Sequence, residues 1–257
     1  MISMPTLGRA RIVAIAVSLG VSAGACSDAV GANAHSLSVS VTGTSSSAPA
    51  ASRSGAFGPS LDVVVGAGAN TITITKAQIV LGRIEVEPGT TTATCSGTET
   101  DDCPAVKLDP VLVDLPLDGT TKTDFGANIP AGTYRGIELK IRPVNSSDPG
   151  GAAFLAANPS FSNVSVHVEG TFNGQPFAYN SSLDAEIEME LSTPITLTSG
   201  SGSNFTLFVN VASWFTDSSG NAIDPTNSQN QSTIENQIQQ SFKVFKDDDK
   251  NGIPDSH

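Results

Sequence analysis

The alternation of apolar and polar residues predicts β-strands along most of this chain. In HSLSVSVTG, residues 35–43, leucine and valine fall on one side of an extended strand and serine on the other. From Leu61 onward similar runs follow one another, separated by Gly, Pro, Asn and Asp. We therefore predict an all-β fold, an antiparallel β-sandwich over residues 36–215, with a Ser/Ala/Gly-rich flexible loop at 44–60.

One hairpin can be predicted residue by residue. Residues 164–179, VSVHVEGTFNGQPFAY, contain Asn173-Gly174 between two alternating runs, which favours a two-residue type I′ turn. This turn places Val168 opposite Tyr179, and the apolar residues of both strands then share one face.

The segment at 70–86 predicts a long, bent strand. Its apolar residues change parity twice, first near Thr75-Lys76 and again near Gly82. Such switches indicate a break and a β-bulge, which suit a strand that bends within a sandwich.

The C-terminal region, residues 216–257, changes character. Ser232 and Glu235 form a capping-box pair. Apolar residues then recur at helical spacing, at Ile234, Ile238, Phe242 and Phe245. We predict an amphipathic helix over 233–246 that lies on the sandwich, followed by an acidic segment.

The N-terminus has the pattern of a bacterial secretory signal over residues 1–25. Two arginines precede an apolar run at 12–21, which is shorter than the roughly 20 residues that a membrane-spanning helix needs. Small residues then lead to Cys26, as in a lipoprotein cleavage site. We expect Cys26 to be lipidated and residues 26–35 to form a tether; the alternative is ordinary cleavage near Ala25 with a free thiol.

The other two cysteines are Cys95 and Cys103, in CSGTETDDC. In an oxidising compartment such a close pair favours a local disulfide. A metal pair is the alternative, but the spacing is not that of a zinc site.

Charge narrows the range of partners. The formal net charge is −12, from 13 basic and 25 acidic residues, and loss of Arg9 and Arg11 with the signal makes it −14. Such a chain repels nucleic acid, so we expect no nucleic-acid partner. Cations, basic proteins and neutral glycans remain.

The acidic tail KDDDKNGIPDSH follows the spacing of a calcium loop, D-x-D-x-N-G-x-x-D. Calcium prefers six to eight oxygen ligands, and alternate residues of a tight loop point inward. The twelfth ligand position of an EF-hand falls at residue 258, so the carboxylate of His257 or an acid of the sandwich would complete the shell. A solvated acidic tail is the alternative. The predicted calcium ligands are Asp247, Asp249, Asn251, the carbonyl of Ile253, and Asp255.

A second set of acids lies on one predicted strand. In DAEIEME the carboxylates occupy alternate positions and so share a face, which we treat as a candidate ligand face. Paired carboxylates serve glycoside hydrolases, and E-I-E-M-E resembles a strand motif of jelly-roll glycosidases. The simpler alternative is a solvated face neutralised by the neighbouring strand, whose outward row is Glu138, Lys140 and Arg142. A calcium site on the carboxylates is a further alternative. The four residues are Asp184, Glu186, Glu188 and Glu190.

Three stretches resemble a group of uncharacterised bacterial lipoproteins. They are NTITITKAQIVLGRIEV (70–86), PVLVDLPLDG with IPAGTYRGIELKI (110–141), and NFTLFVNVASWF (204–215). The resemblance implies a prealbumin-like (transthyretin-like) or carbohydrate-binding-like sandwich and an address in the cell envelope, with no catalytic residues. The GIPD ending is similar to the calcium repeats of thrombospondin type 3 modules.

Together these features predict a lipid-anchored envelope protein that acts as a non-enzymatic binding or structural module. We expect it at the outer membrane, because Ser27 is not the aspartate that retains lipoproteins at the inner membrane. The expected partners are the membrane, through the N-terminal lipid, and a glycan or an envelope protein. The alternative is a glycan hydrolase that uses Glu186, Glu188 and Glu190.

Overall fold

A computed structural model describes residues 35–43, 62–67, 70–89, 105–198 and 202–255. The predicted signal peptide, Cys26, most of the tether, the loop at 44–60 and the Cys95–Cys103 pair lie outside these residues. Within them, no helix is long and apolar enough to cross a membrane.

The described residues form mainly strands, with two α-helices and three short 3-10 segments. The helices are α1 (Gly151–Ala157) and α2 (Gln231–Gln240), and the 3-10 segments are Pro159–Phe161, Val211–Ser213 and Ser228–Asn230. The strands are β1 (His35–Gly43), β2 (Val63–Ala67), β3 (Asn70–Pro88), β4 (Val106–Leu108), β5 (Val111–Asp114), β6 (Thr121–Ile129), β7 (Gly132–Ile141), β8 (Val166–Phe172), β9 (Gln175–Ser181), β10 (Ala185–Leu197), β11 (Gly202–Val209) and β12 (Phe242–Lys246).

The strands form two sheets that share one hydrophobic core. A four-stranded sheet has the order β12-β11-β1-β6, and the main path of an eight-stranded sheet is β10-β7-β3-β8-β9. Apolar residues of both sheets, such as Val39 of β1 and Ile79 of β3, belong to the same buried cluster. The predicted all-β sandwich is confirmed, and one pair, β1 with β11, runs parallel rather than antiparallel.

The predicted hairpin is confirmed in turn and register. Asn173 and Gly174 have φ of 52° and 78°, as a type I′ turn requires. Val168 of β8 lies opposite Tyr179 of β9, and both side chains are buried. Local turn chemistry and the pattern of alternation agree here, so the sequence determines the pairing.

Strand β3 has the two predicted irregularities. Its register against β8 shifts between Ile74 and Lys76, and its register against β7 shifts between Leu81 and Arg83. Between its ends β3 also pairs with β2, β4 and β5. The bends therefore allow one strand to organise the whole eight-stranded sheet.

The predicted C-terminal helix is present, but its predicted bounds of 233–246 are wrong at both ends. Helix α2 begins at Gln231 after Asn230 and ends at Gln240, and Phe242–Lys246 forms strand β12 against β11. Phe242 can be buried whether residues 242–246 form a helix or a strand. The segment forms a strand because its backbone groups then pair with the edge of β11. Glu235 does not close a capping box but accepts a 2.6 Å hydrogen bond from Ser181 of β9.

Candidate functional site

The C-terminal acidic loop, residues 247–255, lies against the polar face of the four-stranded sheet. Polar side chains that the alternation places on the solvated side are buried here: Ser40 and Thr206 are fully buried and Asn204 nearly so. The Asn204 amide donates to the backbone oxygen of Asp247 at 2.8 Å and accepts from Ser40 Oγ at 3.0 Å. The loop is therefore part of the folded body.

Asp247 is the centre of this arrangement. Its side chain is fully buried, and its carboxylate accepts three hydrogen bonds. Thr206 Oγ1 and the Gly252 N–H donate to Oδ2 at 2.6 and 2.9 Å, and the Asn251 N–H donates to Oδ1 at 3.0 Å. A buried carboxylate is stable only with such partners, so Asp247 joins the loop to β11.

The structure brings the predicted carboxylate ligands together. One carboxylate oxygen from each of Asp247, Asp249 and Asp255 lies within 4.8 Å of the others. Asn251, the predicted fifth-position ligand, donates from its amide to Asp249 at 2.8 Å and accepts from the Ile253 N–H at 2.7 Å. The donor set contains the hard oxygens that calcium prefers.

The backbone of the loop fits the predicted turn. Lys250 and Gly252 both adopt left-handed conformations, with φ of 57° and 80°. A Cβ on Gly252 would lie 2.6 Å from Thr121 Oγ1 and 3.2 Å from Thr42 Oγ1. Glycine at the sixth position thus permits both the turn and close packing on β1 and β6.

Asp248 is a neighbour of the predicted ligands that the calcium spacing did not include. Its carboxylate accepts from Ser203 Oγ at 2.9 Å and from the Asn204 N–H at 3.0 Å, and it forms an ion pair with Lys246. Lys246 also lies 3.4 Å from Asp255. The sequence indicates this separate role, because Asp248 lies between two predicted ligands, Asp247 and Asp249, and its side chain should therefore point away from theirs.

Hydrogen bonding lowers the pKa of two acids of the loop, Asp247 and Asp248. Burial alone raises the pKa of Asp247, but hydrogen bonds from Thr206, Gly252 and Asn251 outweigh burial and hold it below its ordinary value. Burial likewise opposes ionisation of Asp248, yet Lys246, Asn204 and Ser203 together lower its pKa. Both groups are therefore carboxylates at neutral pH.

The carboxylate ladder lies in a different setting. It is formed by Asp184, which directly precedes β10, and by Glu186, Glu188 and Glu190 of β10. Lys140 of β7 lies opposite Glu186 and pairs with it at 3.5 Å, and with Asp184 at 3.6 Å. The side chains of Asp184 and Glu186 are 61% and 50% exposed. The predicted neutralisation by the neighbouring strand thus applies to half of the ladder.

Glu188 faces an acid rather than a base, and Glu190 lies opposite Gly136. Glu188 lies opposite Glu138 of β7, which in turn lies opposite Glu85 of β3. Burial, together with the charges of Glu186 and Glu85, raises the pKa of Glu138. Three glutamates in one cross-strand row were not predicted, because register between distant strands cannot be obtained from the β10 sequence alone.

Comparison with known proteins gives no match to a family model, to a curated protein or to a solved structure.

Proposed function

We propose that this chain is a lipid-anchored protein of the bacterial envelope, acting as a non-enzymatic binding or structural module whose C-terminal acidic loop binds calcium. The observation that carries the calcium proposal is the convergence of Asp247, Asp249 and Asp255 within 4.8 Å. Three carboxylates this close repel one another, and a divalent cation relieves that repulsion.

The loop residues would share the ion in the order of their spacing. Asp247, Asp249 and Asp255 would supply carboxylate oxygens, Asn251 its amide oxygen and Ile253 its backbone carbonyl. Lys246 already offsets part of the charge, since it contacts both Asp248 and Asp255.

Calcium bound here would stabilise more than the tail. Asp247 is bonded to Thr206 of β11, and Gly252 packs beside Thr42 of β1. Strand β1 directly follows the predicted tether. The proposed ion would therefore help to hold the strand that connects the sandwich to its lipid anchor.

Calorimetric titration of the full chain with calcium tests this proposal. The Asp249→Asn/Asp255→Asn double variant should lose the calcium heat, while the matched Asp184→Asn/Glu186→Gln double variant on the ladder should keep it. In thermal unfolding, free calcium at 100 times Kd should add about 2.7 kcal/mol to the free energy of unfolding. Equal heats for the two double variants would contradict the proposal.

The anchor has its own experiment. Cys26→Ser should remove the lipid and move the chain from the membrane fraction to the soluble fraction, because a single thiol carries the attachment. Membrane recovery equal to that of the unsubstituted chain would contradict lipidation at Cys26.

The second candidate function is hydrolysis of a glycan by Glu186, Glu188 and Glu190. Its support is that Glu138, whose pKa burial raises, lies opposite Glu188, since glycosidases act with two neighbouring carboxyl groups. A hydrolysis screen on polysaccharides, with the full chain and with its Glu186→Gln variant, separates the hydrolase from the binding module. Turnover that the substitution abolishes, without loss of stability, would favour the hydrolase over the binding module.

A further inference from the structure

Three basic side chains meet in one cleft of this acidic protein. The cleft has a volume of about 230 Å³ and lies on the outer face of the eight-stranded sheet. We call it the cationic cleft; it is lined by Arg83, Lys107 and Arg142 together with Gly82, Leu108, Asp148 and Pro149. Three of the chain's 13 basic residues therefore gather at a single small concavity.

The bulge in β3 is what brings Arg142 into the cleft. A Cβ on Gly82 would lie 2.6 Å from the Arg142 carbonyl oxygen and 2.8 Å from Arg142 Cγ. The aliphatic part of Arg142 thus lies against Gly82, in space that a side chain at this position would occupy. The glycine at the bulge has a positional role beyond changing the parity of β3.

Arg142 is held in place before any ligand arrives. Its Nη2 lies 2.9 Å from Asp148, and Asp148 itself accepts a 2.8 Å hydrogen bond from the Asn145 N–H. Its Nη1 donates to the carbonyl of Pro143 at 3.3 Å. A side chain fixed in this way loses less conformational entropy on binding.

Arg83 and Lys107 are fixed by one nearly buried carboxylate. The Glu85 side chain is 8% exposed, and it accepts from Arg83 Nε at 2.5 Å and from Lys107 Nζ at 3.1 Å. Arg83 uses Nε for this bond, so Glu85 does not engage its two terminal nitrogens, which can donate to a ligand. Both side chains line the cleft and are partly exposed, Arg83 by 41% and Lys107 by 56%.

Charge and size indicate the kind of ligand. Of the charged residues that line the cleft, three are cations and one, Asp148, is an acid. Glu85 pairs with two of the cations, and Glu138 and Glu186 also act electrostatically on Arg83, so the cleft is characterised by its cationic donors rather than by a net charge. Its volume is below the 300–1,000 Å³ of ordinary ligand pockets, so it fits one functional group rather than a large molecule.

We propose that the cationic cleft binds the carboxylate of a small organic acid or of an acidic sugar. Arginine donates to carboxylates in a planar, bidentate geometry, and Lys107 adds a mobile charge at the rim. The proposal rests on the binding role proposed above and names a ligand class for it. It uses none of the residues of the calcium loop, and it makes the cleft a local exception to a chain that repels anions.

Amide NMR of the full chain tests the cleft directly. Acetate, glucuronate and an oligogalacturonate should each shift the amide signals of Gly82, Arg83 and Lys107, and neutral glucose at constant ionic strength should not. Arg83→Gln and Lys107→Gln should each weaken acetate binding about tenfold, as expected for loss of a charged hydrogen bond. Lys243→Gln removes an exposed cation from β12, outside the cleft, and should leave binding unchanged.

The outcomes separate the source of the ligand from the existence of the site. Equal affinity for acetate and oligogalacturonate would assign a small acid, and tighter binding of the oligogalacturonate would assign an acidic glycan. No shift with any of the three acids would overturn the proposal, as would shifts that both glutamine variants retain. If none of the three acids binds while a neutral glycan or an envelope protein does, the proposed ligand of the cleft is wrong and the proposed binding function is supported.

Discussion

The C-terminal acidic loop and the carboxylate ladder contain the same chemical groups in opposite settings. Asp247 of the loop is fully buried, and its two oxygens accept three hydrogen bonds. Asp184 and Glu186 of the ladder are more than half or about half exposed and share one lysine. The number of acids in a segment therefore says little about whether they form a site.

Backbone conformation explains the difference. In the loop, left-handed residues at Lys250 and Gly252 turn the N–H groups of Asn251 and Gly252 toward the Asp247 carboxylate. In a strand the N–H groups bond to the neighbouring strands, so a ladder carboxylate depends on the side chains opposite it. On β10 these are Lys140 in one row and Glu138 in the next.

The strongest test of this contrast is Asp247→Ala. It leaves Thr206 Oγ1 and two backbone N–H groups without their acceptor in a buried site, so we expect the free energy of unfolding to fall by about 3 kcal/mol. Urea denaturation without calcium measures this loss. Glu186→Ala on the ladder is the control, with a small change expected. Equal losses would show that the loop is no more integral to the fold than the ladder.

Much of the fold could be predicted because local signals agreed with the final pairing. The Asn173-Gly174 turn determines the β8–β9 register, and parity switches located both irregularities of β3. The end of helix α2 could not be predicted, because Phe242 is buried in a helix or in a strand alike. The free edge of β11, which decides the matter, is distant in sequence.

In the candidate site, too, features set by local sequence could be predicted and features set by distant strands could not. Spacing alone identified Asp247, Asp249 and Asp255, since loop geometry is local. It did not reveal that Ser40 and Thr206, polar residues on alternating strands, are buried beneath that loop. The cationic cleft also depends on register between distant strands, so its three cations could not be grouped from the sequence.

Gly252→Ala tests whether the loop is packed on the sheet. The left-handed backbone costs an alanine roughly 1 kcal/mol, and its Cβ would also meet Thr121 and Thr42. We expect a total loss of about 2 kcal/mol in urea denaturation. Gly174→Ala is a matched control, because Gly174 has φ of 78° and nothing within 4 Å of an added Cβ. If the two variants lose the same amount, the loop does not pack as described.

Lowering the pH should reduce the contribution of the C-terminal acidic loop to the free energy of unfolding. The folded pKa of Asp247 lies below its ordinary value of 3.8, so its contribution is present above that value and is lost as pH falls through the folded pKa. Protonation replaces charged hydrogen bonds by neutral ones about half as strong, so we expect a loss of about 1 kcal/mol. Unfolding free energies from pH 7 to pH 2 should fall less steeply in Asp247→Asn; identical slopes would argue against this origin.

We expect the smallest change in the free energy of unfolding for Glu138→Gln, on β7 opposite the carboxylate ladder. Glu138 lies between Glu85 and Glu188, and its pKa is raised, so its charge opposes folding at neutral pH. The substitution should therefore raise the free energy of unfolding at pH 7 by about 0.5 kcal/mol, a typical cross-strand value. This gain should shrink as pH falls through the raised pKa, because protonation relieves the same repulsion. Glu190→Gln, opposite Gly136, should change little. A loss of stability in Glu138→Gln would mean that the row of glutamates holds a cation, and the ladder would then resemble the loop after all.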